Sequence, residues 1–211
     1  MSGMGRGRPR KTDPDAVLDT AMKLFWERGY EATSMNDLAA ATGMAKPGLY
    51  ATFGDKETLY AKALARYVAK GSPEFQEIFN APVSLEIFLR RYLDTVAASL
   101  LDTSTPCGCF IVNSMIDCAS QSAALEALGR EVNKKRNDAM VKRFRAARKQ
   151  GELPADADVR ALADFFSGQT LAMAVMGRAG ADRKRLQAFI EVVMTALPRG
   201  ALSSQPGSDP V

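Results

Sequence analysis

Two kinds of chemistry are carried by the side chains of this 211-residue chain. Arg6, Arg8, Arg10 and Lys11 share a Gly- and Pro-bearing segment that holds no acid, so the first twelve residues carry +4. Arginines on an extended, proline-stiffened tether suit the narrow, electronegative minor groove of A·T-rich DNA. The second kind is thiol chemistry, from Cys107, Cys109 and Cys118. There is no histidine, so the commonest general base and the commonest zinc ligand are both missing. If the three cysteines share one helix, Cys107 and Cys109 diverge at about 100° per residue, and Cys118 lies about 16 Å from Cys107. No pair can then close a disulfide, which needs Cα atoms within about 7 Å, and no three-thiolate metal site forms. Buried cysteines are ordinarily small hydrophobes; the alternative is a sensing thiolate at Cys109, favoured by the positive end of a helix.

The elements that position these groups belong to an ordinary globular chain, 46% hydrophobic and 25% charged. With no apolar run of about 18 residues and no leader pattern, neither a membrane span nor export is expected. An odd number of cysteines points to a reducing compartment, the cytoplasm. Residues 13–60 set four cations against eight acids, a net of −4. If this body binds DNA, the arm supplies much of the phosphate neutralisation.

A first helix is predicted from about Asp13 to Arg28, with Pro14 in its first turn and Gly29 ending it. Ser34 reads as the N-cap of a second, with Asp37 completing a variant of the capping box. Met35, Leu38, Ala39 and Thr42 form its buried stripe, and Gly43 takes the left-handed position after it. A short third helix resumes near Lys46, with Leu49 and Phe53 inward. Two short helices about a glycine turn describe a helix-turn-helix, whose second helix enters the major groove.

From Leu24 to Leu59 the chain resembles the N-terminal domain of the TetR family of transcriptional regulators, through Phe25, Gly29, Tyr30, Thr33, Leu38, Ala39, Gly43, Leu49, Tyr50, Phe53, Lys56 and Leu59. The resemblance implies phosphate contacts from Ser34, Tyr50 and Lys56. It implies that Asn36, Lys46, Pro47, Gly48 and Thr52 face base edges. Lys46 suits guanine O6/N7, and Asn36 suits adenine or a phosphate. Two departures stand out. Ala45 occupies a position where the family often has serine or threonine, and Pro47 biases Lys46 away from the helical region, so the third helix is expected to start one residue late.

Beyond the reading head, a helix from Asp55 is expected to end near Lys70, broken by Gly-Ser-Pro at 71–73, with a short helix over Glu74–Phe79. Leu85, Phe88, Leu89, Tyr92, Leu93, Val96, Leu100 and Leu101 keep strict helical period after Pro82. Pro106 fits a helix start that places Cys107 and Cys109 in the first turn. Phe110, Ile111, Val112, Met115 and Ile116 make that helix apolar almost all round, as at the centre of a bundle. Further helices are expected over 122–150, 156–178 and 182–197. The expected fold is all-α and TetR-like, a three-helix DNA-reading domain plus a helical bundle, roughly nine helices in total. The expected domains are a disordered basic arm (1–12), a helix-turn-helix domain (13–60), a ligand-binding and dimerisation domain (61–197) and a disordered tail (198–211).

The resemblance further implies a repressor that binds a palindromic DNA operator as a homodimer through its last two helices and answers to a small-molecule effector in the larger domain. It implies no cofactor. The G-C-hydrophobic segment at 108–112 is similar to that of a TetR subset in which a cysteine responds to electrophiles or oxidants. Candidate walls of the effector site are Phe88, Tyr92, Cys109, Phe110, Met115, Phe144, Phe165 and Met173. Two other readings stand beside this one: a cysteine-dependent small-molecule enzyme, and an architectural DNA binder without sequence preference. Replacing Arg6, Arg8 and Arg10 together by alanine is expected to weaken operator binding and to flatten its log–log salt slope by up to about 3. Anisotropy titrations across salt concentrations check this, and unchanged affinity would sink the role of the arm.

Overall fold

The computed structural model describes residues 13–117 and 123–200. Arg6, Arg8, Arg10, Cys118 and the tail from 201 lie outside them, as do the side chains of Ser72 and residues 115–117, Met115 included. All regular structure among the described residues is helical. The helices are α1 (Pro14–Arg28), α2 (Met35–Thr42), α3 (Lys46–Phe53), α4 (Lys56–Asn80), α5 (Leu85–Leu100), α6 (Phe110–Asp117), α7 (Ala123–Lys149), α8 (Val159–Arg178) and α9 (Arg183–Met194). The chain divides into two compact units, one reaching Tyr67 and the other beginning at Val68.

In the smaller unit, α1 buries Val17, Ala21 and Phe25 at the helical repeat, and α2, α3 and α4 bury Leu38, Leu49, Leu59, Tyr60 and Leu64. Phe25 meets Tyr60 edge-on at 4.9 Å, and Tyr30 meets Tyr60 edge-on at 5.2 Å. Such pairs add to the burial of their area. Arg66 on α4 clamps α1: Nε donates to Asp19 at 2.9 Å, Nη2 to the second Asp19 oxygen at 3.2 Å, and Nη1 lies 3.2 Å from Asp15.

The larger unit buries one continuous core, built from Leu85, Phe88, Leu89, Tyr92 and Leu93 of α5, Met140, Val141 and Phe144 of α7, Phe166 and Met173 of α8, and Leu186, Ile190 and Val193 of α9. Helix starts are set by side chains. Ser84 accepts from Ile87 N–H, Asp158 from Arg160 and Ala161 N–H, and Asp182 from Arg185 N–H. Polar ties join the helices across the core's edge. Arg90 binds Glu191 through two bonds of 2.6 and 3.0 Å, and Gln187 donates to Asp94 at 3.1 Å.

Two expectations about these elements are corrected by the structure. α4 runs unbroken through Gly71 and Pro73 to Asn80. Proline costs the bond to the carbonyl four residues back, but Phe75 and Phe79 beyond it pack edge-on against Tyr92 at 5.7 and 5.6 Å, and that burial holds the last turns helical. Cys107 and Cys109 do not lie in a helix: α6 begins at Phe110. Gly108 between them has φ +89°, and a Cβ there would stand 2.9 Å from Arg178 Cγ, so backbone sign and close approach both keep the helix from starting earlier. Within α6 the polar Asn113 and Ser114 are buried as well. Replacing Pro73 by alanine restores the missing bond. We expect it to stabilise the protein by about 1–3 kcal/mol, read as a higher midpoint in thermal unfolding.

Candidate nucleic-acid interface

An eight-residue helix leaves half its backbone donors without partners at its N-terminus, so what caps α2 and α3 decides what they can present. Ser34 Oγ accepts from Asp37 N–H at 3.1 Å, Ser34 N–H donates to Asp37 Oδ2 at 2.8 Å, and the Ser34 hydroxyl donates to the same oxygen. The capping box is therefore closed, and the hydroxyl proton of Ser34 is already engaged. What α2 offers a phosphate is the N–H pair of Met35 and Asn36, with the exposed Asn36 side chain beside them. Gly43 ends α2 at φ +69°, ψ +6°, with its N–H on Ala39 O. That left-handed geometry suits glycine and makes the turn into α3.

α3 begins at Lys46, without the one-residue delay expected from Pro47. Ala45 is extended and gives no side-chain cap, while Gly48 and Leu49 N–H both reach Ala45 O, at 2.8 and 3.1 Å. Pro47 sits where a backbone N–H would have no helical partner, so it forfeits no bond. Burial of Leu49 and Phe53 at i and i+4 fixes the register. The opposite face, Lys46, Pro47, Tyr50, Ala51 and Thr52, is exposed, Tyr50 at 49%, and Gly48 is half-buried with Met44 Cγ 3.1 Å from where a Cβ would be. Lys56 is half-buried with its ammonium 4.2 Å over the Tyr30 ring. A lysine unremarked in the sequence, Lys62, donates to Phe53 O at 3.1 Å and so caps the C-terminus of α3.

The acidity of this unit is largely spent internally. Asp13 accepts from Asp15 N–H and caps α1; Asp15 and Asp19 hold Arg66; Asp37 closes the box; Asp55 accepts from Thr58 N–H at 2.8 Å. Hydrogen bonds from Ser34 hold the Asp37 carboxyl below its ordinary range, and those from Thr58 do the same for Asp55.

In the larger unit Phe88, Tyr92, Phe110, Phe144 and Met173 are fully buried, and Cys109 is half-buried. Phe88 and Tyr92 stack at 6.0 Å, whereas Phe144 packs on Phe166 at 5.6 Å. Phe165 departs from the expectation of an inner wall: it is 40% exposed on α8. Two surface depressions, of about 490 and 350 Å³, are lined by Gly180, Asp182, Lys184, Arg185 and Ala188, and by Glu86, Met194, Thr195, Leu197 and Arg199. Neither is built from those aromatic side chains. What the sequence reading missed is Arg136 of α7, whose Nε–H is shut off from solvent without an acceptor and whose charge acts on Tyr92. The signal was present: counting back from Met140 and Phe144 at helical spacing puts Asn133, Arg136 and Asn137 on the same face.

Comparison with known proteins bears on this geometry directly. Residues 17–63 match the bacterial regulatory proteins of the tetR family, and residues 84–193 match the tetracyclin repressor-like C-terminal domain. The chain belongs to the TetR family. It is 33% identical over 194 residues to the HTH-type transcriptional repressor ComR of Escherichia coli K12, covering 92% of each chain. It is 31% identical to the HTH-type transcriptional regulator YezE of Bacillus subtilis 168, over 90% of this chain and 99% of that one. A cysteine mutant of the TetR family regulator CifR, solved with 26-bp double-strand operator DNA, superposes with a TM-score of 0.82 at 30% identity, covering 91% of this chain and all of that one. The TetR-family chain is accordingly a DNA-binding transcriptional regulator with an all-α fold, and not an enzyme.

Replacing Ser34 by alanine removes a serine N-cap, which costs about 1 kcal/mol. Urea unfolding followed by the fluorescence of Trp26, the single tryptophan, reports on this unit. The carboxyl of Asp37 is depressed in the folded state, so its contribution is present above pH 3.8, its ordinary value, and fades as pH falls through the folded value. The gap between wild type and Ser34→Ala is therefore expected to close in acid; a gap independent of pH would contradict the box.

Proposed function

We propose that this TetR-family protein is a repressor that binds a palindromic operator as a homodimer and releases it when a small-molecule effector occupies the larger unit. The observation that carries the DNA half is the exposed face of α3, Lys46 to Thr52, held on a capped and glycine-turned pair of short helices. Lys46 supplies the donor for guanine O6/N7, Asn36 reads adenine or a phosphate, and Tyr50 and Lys56 fix the backbone register. Ser34 acts through the N-terminus it caps. The arm residues Arg6, Arg8 and Arg10 extend the footprint into the minor groove. The relative ComR, named a repressor, and the CifR complex with operator DNA support the same reading. A protein with this task works where the chromosome is, in the cytoplasm.

The outer faces of α8 and α9 support dimerisation through them. On α8, Phe165, Gly168, Ala172 and Val175 recur at helical spacing, with Phe165 40% and Val175 56% exposed. On α9, Ala188 and Val192 do the same, Val192 being 69% exposed. No Cβ added at Gly168 would meet another atom within 4 Å, so that side of α8 has room for a neighbouring helix. One short reading helix contacts too few bases for tight specific binding, and a two-fold pair doubles the contacts and sets the half-site spacing.

Selection of bound DNA from a random pool tests the proposal. One inverted repeat, bound far more tightly than random DNA, is the expected result; equal binding of both would favour the architectural alternative. Phe165→Glu and Val192→Glu place charge on the apolar stripe. Each is expected to turn the dimer into a monomer at micromolar concentration in sedimentation velocity, with loss of operator affinity. Dimers that persist in both variants would move the interface elsewhere.

A further inference from the structure

One layer of the larger unit is polar where its surroundings are apolar. Tyr92 of α5, 1% exposed, is paired with the Thr170 hydroxyl of α8 and lies within electrostatic reach of Arg136 on α7 and of Cys109 in the segment before α6. Thr170 is 4% and Ser167 7% exposed. Most of these groups are accounted for. Thr170 Oγ donates to Ser167 O at 2.8 Å, Ser167 Oγ to Asn137 Oδ1 at 3.0 Å, and Asn137 Nδ2 to Asp164 at 2.6 Å, where the chain of bonds reaches the surface.

Arg136 is the exception. Its Nη2 donates to Asn133 at 2.9 Å, while its Nε–H is shut off from solvent and has no acceptor. No carboxylate pairs with it among the described residues, although the Asp164 carboxylate ends in Asn137 and lies 3.9 Å from Arg160. An arginine donor withdrawn from water without an acceptor is unfavourable, and a guanidinium presents its Nε–H and a terminal N–H as a fork that fits the two oxygens of a carboxylate. Tyr92 beside it remains a donor: burial raises the phenol above its ordinary range, against the opposing pull of Arg136 and Thr170. One helical turn from this layer lie Met140 and Met173, both fully buried. Their unbranched thioethers can rearrange to admit an apolar body.

We propose that this layer is an anion site, in which Arg136 binds the carboxylate of a small organic acid and Tyr92 donates a hydrogen bond to it. The ligand is a monocarboxylate with an apolar remainder. As an account of regulation this rests on the larger unit being where the effector acts; as a binding site it does not.

The full-length protein without DNA is titrated calorimetrically with straight-chain monocarboxylates from acetate to decanoate and with phenylacetate, each against its primary amide, and melting temperatures are recorded in parallel. At least one acid is expected to bind and raise Tm, and its amide to bind about tenfold more weakly or worse. Arg136→Met is expected to lose that preference while its unliganded Tm does not fall, because a donor withdrawn from water without an acceptor has been removed. Should Arg136→Met fail to fold, Arg136→Lys and Arg136→Gln separate the cases: lysine keeps part of the preference for acid over amide and glutamine keeps none. Tyr92→Phe is expected to lose several-fold affinity for the acid. Equal binding of acid and amide, undiminished binding by the Arg136 variants, or no binding by any acid overturns the site. Anisotropy with the selected operator is read separately. Acid binding that leaves operator affinity unchanged overturns the effector role, whereas a protein that binds no operator refutes the regulatory reading while calorimetry still decides the site.

Discussion

A helix of eight residues does not hold itself together in water, because nucleation costs more than so few hydrogen bonds return. Both helices of the reading head, α2 and α3, have that length, and the rest of the smaller unit is arranged around their dependence. Each is supplied with what it lacks at its ends. Ser34 and Asp37 close the start of α2, Gly43 ends it in the left-handed region, and Lys62 covers the last carbonyls of α3. Each also buries apolar residues, Leu38 for α2 and Leu49 with Phe53 for α3, in a core that includes the fully buried Phe25, Tyr60 and Leu64. The one end with neither a side-chain cap nor a left-handed glycine is the start of α3, where Lys46 and Pro47 meet solvent.

The same constraint explains the charge of the unit. A DNA-reading body with eight acids and four cations looks self-defeating by composition. In the structure, Asp13, Asp37 and Asp55 are each placed at a helix start, where a carboxylate satisfies orphan N–H groups and complements the dipole. Asp15 and Asp19 are neutralised by Arg66 from α4. These acids cap the helices of the unit and hold α1 to α4, and their fields are partly cancelled where they arise. The exposed face of α3 carries Lys46 and no acid from Lys46 to Phe53, so the local charge toward a phosphate backbone is more favourable than the total.

What was legible in the sequence was whatever depends on near neighbours. The cap at Ser34, the glycine turn at Gly43, the inward pair Leu49 and Phe53, and the stripe from Leu85 to Leu100 all follow from spacing within one or two turns, and each is in the structure. What was not legible depends on partners distant in the chain. Gly71 and Pro73 look like a break until Phe75 and Phe79 are seen packed on Tyr92 and Phe88. Cys107 and Cys109 look helical until Gly108 is seen pressed against Arg178. The outward Phe165 had the same pattern as its inward neighbour Phe166, and only the packing of α7 against one of them tells the two apart. Arg136 was passed over because a charged residue in a basic helix reads as solvated surface.

That last case bears on how the larger unit can act as a switch. An effector moves a conformational equilibrium only as far as its affinity differs between states. A wholly apolar interior gains little from any one arrangement over another, since apolar contacts are non-directional. A guanidinium whose Nε–H is withdrawn from water without an acceptor is directional, and a ligand supplying that acceptor would favour whichever arrangement brings it into line with Arg136. The helices that meet at this layer are not free to respond independently: α8 is joined to α7 through Ser167, Asn137 and Asp164, and α5 to α9 through Arg90 and Glu191. α8 also carries the apolar stripe of Phe165 and Val175 on its other side. A ligand that reorders the inner face of α8 would therefore act on the same helix whose outer face we propose as the dimer seam.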